Sequence, residues 1–330
     1  MALSGSSQEI FRALPRIPLL TCPTPIETCD RLKAVLPSAP NLFIKRDDFS
    51  TYLVGGNKVR KLEFTMARAL GLGATAVITV GSFQSNHARI TAMVARRLGL
   101  KCHLVLNGNG EDKPSGNFLI SKMLGVDVIP VGTREDRIPM MDEVGRRLGV
   151  LGERIYKIPL GASDEVGSFG LTAGLAEVLD QEKSLGLTFN AILFSSSSGG
   201  TQAGLEVGKR FFGREDLRII GVSPDDPAPG IKAVITDIAH RMLSELGIKD
   251  SLRADDIEVD DGYFGDGYGL PTEGSEEATQ LFARTEGILL DPVYTSKAGA
   301  ALIDYCRKGL FKRTDNVLFW HTGGLIGLFQ

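Results

Sequence analysis

An excess of charge of one sign is missing: 37 basic against 40 acidic side chains leave a net charge of −3 over 330 residues. A protein that neutralises many nucleic-acid phosphates carries a basic surplus, so that class is disfavoured. No apolar run approaches the roughly 18 residues that a membrane-crossing helix needs. The opening MALSGSSQEIFRALPRIPLL lacks a basic segment followed by an apolar core, so no export signal is expected. Cysteine is scarce, and Cys22, Cys29, Cys102 and Cys306 have no metal-type spacing. They read as reduced thiols, which points to the cytosol. Neither G-x-x-x-x-G-K-[ST] nor G-x-G-x-x-G occurs, which withdraws support from nucleoside triphosphates and dinucleotides. Internal repeats and low-complexity tracts are absent as well.

What is present is the composition of an ordinary globular protein, 43% hydrophobic and 23% charged. The length suggests about two domains. The 39 glycines far outnumber the 15 prolines and read as element ends. Strands are expected at 42–45, 76–80, 102–106, 126–131, 155–158, 191–195, 218–222 and 317–320. Helices are expected at 59–70, 88–98, 117–124, 140–148, 201–212 and 296–307. Strands separated by helices of this length imply βαβ units and parallel sheets, an α/β fold. Loops are expected at 107–115, 159–167, 224–230 and 260–274.

Four segments place glycine and small polar residues beside helix starts. In Gly55-Gly56-Asn57-Lys58 the glycines permit a tight turn and put Lys58 on a first helical turn. Backbone dipoles there, with Arg60 and Lys61 nearby, would lower its pKa, as a Schiff-base lysine requires. A solvated lysine on a basic helix start reads equally from this segment alone. Gly81-Ser82-Phe83-Gln84-Ser85-Asn86-His87 joins a strand to a helix whose free N–H groups suit a carboxylate. Ser85 and Asn86 also serve as ordinary N-caps, and His87 as a structural histidine. Ser195-Ser196-Ser197-Ser198-Gly199-Gly200-Thr201 has the small residues and hydroxyls of a phosphate cup. With no lysine or metal motif of its own, that cup suggests a phosphomonoester cofactor. Asp291-Pro292-Val293-Tyr294-Thr295 and His321-Thr322-Gly323-Gly324 follow strand-like runs, where open α/β sheets bind ligands. Singly, Tyr294 reads as a core tyrosine and Thr322 as a cap. A lysine at a glycine turn, a phosphate cup and no nucleotide motif together suggest pyridoxal phosphate.

The blocks GGNKVRKLEF, GSFQSNHARIT, SSSSGGTQAG, LLDPVYTSKA and FWHTGG, with PRIPLLTCPTPIE and IKRDD before them, resemble the D-cysteine desulfhydrase and 1-aminocyclopropane-1-carboxylate (ACC) deaminase family across nearly the whole chain. That family is tryptophan-synthase-β-like, fold type II. The resemblance implies two open, twisted, mostly parallel sheets, with a small domain (residues 53–161) inserted in a larger one (1–52 and 162–330). Pyridoxal 5'-phosphate would lie in the cleft between them. It makes Lys58 the cofactor-bonding lysine and puts Ser85, Asn86 and His87 on the substrate side, with Asn86 also at the ring hydroxyl; the freed Lys58 amine, Ser85 or a nearby tyrosine, Tyr268 or Tyr294, would take the α-proton. Ser197, Ser198, Gly199, Gly200 and Thr201 become the phosphate cup. Tyr294 falls beside the ring, Tyr268 on the glycine-rich loop facing substrate, and Thr322 near the ring nitrogen. A homodimer goes with the family.

ACC deaminases resemble this chain but carry Glu after the ring tyrosine and Leu after the last histidine, where Thr295 and Thr322 stand here. A neutral hydroxyl weakens the electron sink, which still suffices for β-elimination. The expected activity is therefore a D-cysteine desulfhydrase releasing pyruvate, hydrogen sulfide and ammonia. The alternatives are ACC deamination or cleavage of another β-substituted amino acid such as L-cysteate. Leu53 and Val54 replace a small residue before GGNK, and Ile90 departs from QSNHVRQT, so all three are candidates to alter the pocket. A non-catalytic amino-acid-binding protein and a nicotinamide oxidoreductase are the competing classes.

Overall fold

The computed structural model describes residues 5–108, 114–249 and 252–329. Ten strands form two sheets: β1 (Ile26–Thr28), β2 (Asn41–Arg46), β3 (Ala76–Ser82), β4 (Lys101–Asn107), β5 (Asp127–Val131), β6 (Ile155–Ile158), β7 (Ala191–Ser195), β8 (Arg218–Val222), β9 (Glu258–Asp260) and β10 (Asn316–His321). The larger sheet runs β1-β2-β10-β7-β8-β9 and the smaller β5-β4-β3-β6. Among the described residues, only the β1–β2 pair is antiparallel. Central strands such as β3 (AVITVGS) and β7 (AILFS) are continuous apolar runs because helices cover both faces. All eight expected strands and six expected helices are present within a few residues.

The differences have physical reasons. β1 and β9 have three residues each, too short to carry a period. The loops at 159–167, 224–230 and 260–274 end early, because helices Glu165–Leu185, Ala228–Glu245 and Glu273–Glu286 begin inside them. Of the loop at 107–115, residues 109–113 lie outside the described residues.

Helix Glu165–Leu185 is packed between helices Asn57–Gly71 and Gly200–Phe211, so its first half is buried nearly all round and shows little amphipathic stripe. Glycines inside helices make that packing possible. A Cβ at Gly170 would stand 2.2 Å from the Arg60 carbonyl oxygen, and one at Gly204 2.2 Å from that of Ser168. Glycine is therefore more than an element-end residue in this chain.

Candidate active site

The carboxyl edges of both sheets open onto one cavity of ≈ 270 Å³. Residues following β3, β4 and β6 line it from one side, and residues following β7, β8 and β10 from the other. Open parallel sheets bind ligands at this edge.

Lys58 enters the cavity from the first turn of helix Asn57–Gly71. The turn before it is set by a close approach. Gly56 has φ +67°, and a Cβ there would stand 2.1 Å from the Thr322 carbonyl oxygen. That same oxygen accepts from the Asn57 N–H at 3.1 Å, so the helix start is anchored on the loop after β10. Burial lowers the Lys58 amine to about 8. The contribution expected from Arg60 is not what lowers it: Arg60 is turned away and held by Asp47 at 2.8 Å and Glu177 at 3.1 Å. Lys61 is fully buried and donates to Ser163 Oγ at 2.9 Å. Desolvation, then the charge of Lys58, depress its own amine.

Ser85 caps helix Asn86–Arg97, its Oγ accepting from the Ala88 N–H at 3.2 Å. That leaves its hydroxyl hydrogen for a ligand. Asn86 lines the cavity, and its Oδ1 accepts from Asn117 Nδ2 at 3.1 Å. His87 is buried and lines the same wall. The Thr79 hydroxyl donates to the Ile158 carbonyl at 2.9 Å, so across the 2.8 Å Thr79–His87 bond it accepts from Nε2–H. His87 Nδ1 is thus a bare acceptor, buried with no partner among the described residues. Burial, reinforced by Lys58 and Lys61, holds the ring neutral.

Across the cavity, Gly199 has φ +77° and a Cβ at Gly200 would collide with Ser163 at 2.7–2.8 Å. The chain closes tightly only because these positions lack side chains. Ser197 donates to Asp225 at 2.9 Å and Ser198 pairs with Ser163 at 2.7 Å. Thr201 accepts from Asn57 Nδ2 at 2.9 Å. Gly200 stands behind the wall at the helix start, while Ser197, Ser198, Gly199 and Thr201 line it. The cup has a lysine after all, for Lys61 reaches Ser198 through Ser163. Asp225 was not foreseen; desolvation, then Asp226, raises its carboxyl.

Tyr268 and Tyr294 share a 2.6 Å hydroxyl bond with rings 6.0 Å apart. Burial raises both phenols, so both are protonated near neutral pH. The two threonines separate. Thr322 lines the cavity, whereas Thr295 is buried off it, donating to Asp291 Oδ1 at 2.7 Å and accepting from the Asp291 N–H at 2.8 Å. Thr295 therefore serves the start of helix Thr295–Arg307. Ile90 is also off the cavity, buried in the core beneath Gly55. Val54 does not line it either. The side chain of Leu53 lies outside the described residues. Asn57, Lys61, Asn107, Arg134, Arg137 and Asp225 complete the site; Asn57 belongs to GGNK and Lys61 follows it, while the other four had no motif signal of their own.

The donors fit a phosphorylated aldehyde: an amine of lowered pKa, a cup closed by glycine, an unpartnered Ser195 hydroxyl within it, and a lysine behind. This two-sheet fold and site define a fold type II pyridoxal-phosphate lyase. The model of the family "Pyridoxal-phosphate dependent enzyme" matches residues 17–323, and the chain belongs to that family. It is 39% identical over 333 residues to a D-cysteine desulfhydrase of Klebsiella pneumoniae, covering 98% of each chain. It is 38% identical over 322 residues to a 1-aminocyclopropane-1-carboxylate deaminase of Methylobacterium nodulans, covering 94% of each. A crystal structure described as an ACC deaminase homologue superposes with a TM-score of 0.90 at 32% identity, over 99% of this chain and 97% of that one. Among the described residues, no helix is long and apolar enough to cross a membrane.

Proposed function

We propose that the chain is a β-eliminating lyase acting on D-cysteine, with pyruvate, hydrogen sulfide and ammonia as products. The observation that carries this reading is the Lys58 amine, lowered to about 8, in one cavity with a helix start and two protonated phenols. Bound pyridoxal phosphate withdraws electrons from the substrate's α-carbon and makes its hydrogen acidic.

Ser198, Gly199, Gly200 and Thr201, with Ser197, would hold the phosphate, with Lys61 supplying positive charge behind them. Asn86 would serve the ring hydroxyl, Tyr294 the ring and Thr322, a neutral group, the ring nitrogen. The Ser85 hydroxyl and the Asn86 N–H would take the substrate carboxylate at this helix start, with His87 beside them. Lys58, part neutral near pH 8, takes the α-proton. The phenols are acids at this pH, so Tyr268 and Tyr294 give a proton to the departing sulfur.

Asp291, the carboxylate nearest Thr295, takes bonds from the N–H groups of Val293, Tyr294 and Thr295 and from the Thr295 hydroxyl. It has little capacity left to keep a ring nitrogen protonated, which favours β-elimination over opening of a cyclopropane ring. We also infer that residues 53–161 form the smaller unit, since β3–β6 fall within them, and that the protein is a cytosolic homodimer. Four free thiols support the cytosolic part. Lys58→Ala is expected to lose both the visible absorbance of bound cofactor and pyruvate formation. Pyruvate at wild-type rates from that variant would overturn the assignment.

A further inference from the structure

Lys297 stands three residues past Tyr294, in the first turn of helix Thr295–Arg307, and is fully buried. Two effects oppose a cation there: withdrawal from water, and the positive end of the helix dipole. Among the described residues no carboxylate lies within ion-pair distance of it, and Asp225 is the acidic group within electrostatic reach. The ammonium instead spends its three hydrogens on main-chain carbonyls, Phe264 at 2.7 Å and Pro224 and Gly267 at 3.0 Å each. No proton is left for a substrate, and Lys297 does not line the cavity. Its carbonyl partners, however, belong to two segments that reach it. Pro224 follows β8 and precedes Asp225, which takes the Ser197 hydroxyl at 2.9 Å. Phe264 and Gly267 lie between β9 and helix Glu273–Glu286, in a stretch with no strand or helix of its own. Gly265 and Gly269 there have φ +66° and +75°, so the backbone itself has little preference for one shape. Tyr268, next after Gly267, is 46% exposed yet meets the Tyr294 hydroxyl at 2.6 Å. Lys297 thus bonds the residue before Tyr268 from the helix start that carries Tyr294.

We infer that Lys297 is a positioning residue: its ammonium clamps the glycine-rich stretch to helix Thr295–Arg307 and so holds Tyr268 in place to protonate the departing group. This rests on the lyase reading and adds to it what sets the geometry of the proton donor. Proton transfer needs its heavy atoms within hydrogen-bond reach, and a misplacement of about 1 Å costs on the order of a hundredfold in rate. A partly exposed tyrosine beside two glycines of positive φ meets that demand only when its main chain is tied down. A buried ammonium on three carbonyls supplies the tie and brings no acid or base of its own into the cleft.

The test is a double-mutant cycle on the holoenzyme with Lys297→Met and Tyr268→Phe, reading kcat and KM for D-cysteine from pyruvate release. Hydrogen exchange of residues 262–270 is measured beside it, without substrate. Lys297→Met should keep the visible absorbance of bound cofactor, because Lys58 is untouched. Its kcat should fall about tenfold or more, with KM within about twofold of wild type. Exchange across 262–270 should quicken about tenfold while β3 and β7 stay protected. In the Tyr268→Phe background the same substitution should change kcat by no more than about twofold, because the hydroxyl it positions is gone. Where Lys297→Met does not fold, Lys297→Gln, which keeps two N–H donors, takes its place. Unchanged exchange across 262–270 would overturn the clamp. Losses that multiply through the cycle would show that Lys297 supports the fold at large, and would overturn the placement of Tyr268. Absence of pyruvate from the wild type would instead sink the lyase reading, while the exchange result still decides the clamp.

Discussion

Lys58 and Lys61 stand three positions apart on one helix, yet the fold gives them different surroundings, Lys58 half-buried at the cavity and Lys61 fully buried. Lys61 is fixed on Ser163 and the Gly161 carbonyl, while Lys58 faces the cavity with its pKa at about 8. At pH 7 about a tenth of such an amine is neutral, against fewer than about one in a thousand for an ordinary lysine. The neutral amine is the nucleophile. Uptake of pyridoxal phosphate by cofactor-free protein should therefore accelerate with rising pH and level off above a midpoint near 8. Stopped-flow absorbance between pH 6 and 10 measures this. A rate still climbing toward 10.5 would mean that the amine is solvated. His87 shows how one partner sets a side chain's chemistry: because Thr79 spends its hydrogen on Ile158, the ring carries its proton on Nε2 and leaves Nδ1 a bare acceptor.

At the scale of elements, the site is a set of helix starts held at sheet edges. Helix Asn57–Gly71 begins where it does because Gly56 lies against the Thr322 carbonyl with room for no side chain. Gly56→Ala combines a left-handed φ with a Cβ 2.1 Å from that oxygen. It should cost about 2 kcal/mol or more and weaken cofactor retention, since Lys58 rides on this turn. A denaturation midpoint equal to wild type would show that the loop after β10 gives way freely. Much of this layout was legible. QSNH, SSSSGG and HTGG follow strands because buried apolar runs end in glycine and hydroxyl residues, and that pattern survives in one dimension; GGNK instead follows helix Thr51–Val54, and the apolar run before Asp291, expected as strand-like, is irregular chain after helix Glu273–Glu286. What was not legible depends on packing. Helix Glu165–Leu185 carries no clear stripe, because it is covered on several sides. Thr295 sits beside a candidate ring tyrosine in sequence but turns inward to Asp291. Ile90 lies on a substrate-side helix yet faces the core. Arg134 and Asp225 reach the cavity from loops and Arg137 from a helix start, a convergence that no local spacing records.

At the scale of the molecule, a buried ionic network ties the Lys58 helix to the larger sheet. Arg60, from the helix carrying Lys58, is held by Asp47 after β2 and by Glu177 of helix Glu165–Leu185, with the Trp320 indole N–H also on Asp47 at 2.8 Å. Burial without such partners would be costly, so the network fixes how the Lys58 helix sits over the larger sheet. The lyase account is a claim about what the two edges do together. Its most direct test is release of pyruvate and sulfide from D-cysteine by the purified holoenzyme, with ACC assayed beside it. Equal amounts of pyruvate and sulfide from D-cysteine, with ACC unconsumed, is the result expected if the phenols protonate a departing thiolate and Thr322 leaves the ring nitrogen neutral. Ammonia released from ACC with D-cysteine untouched would contradict it.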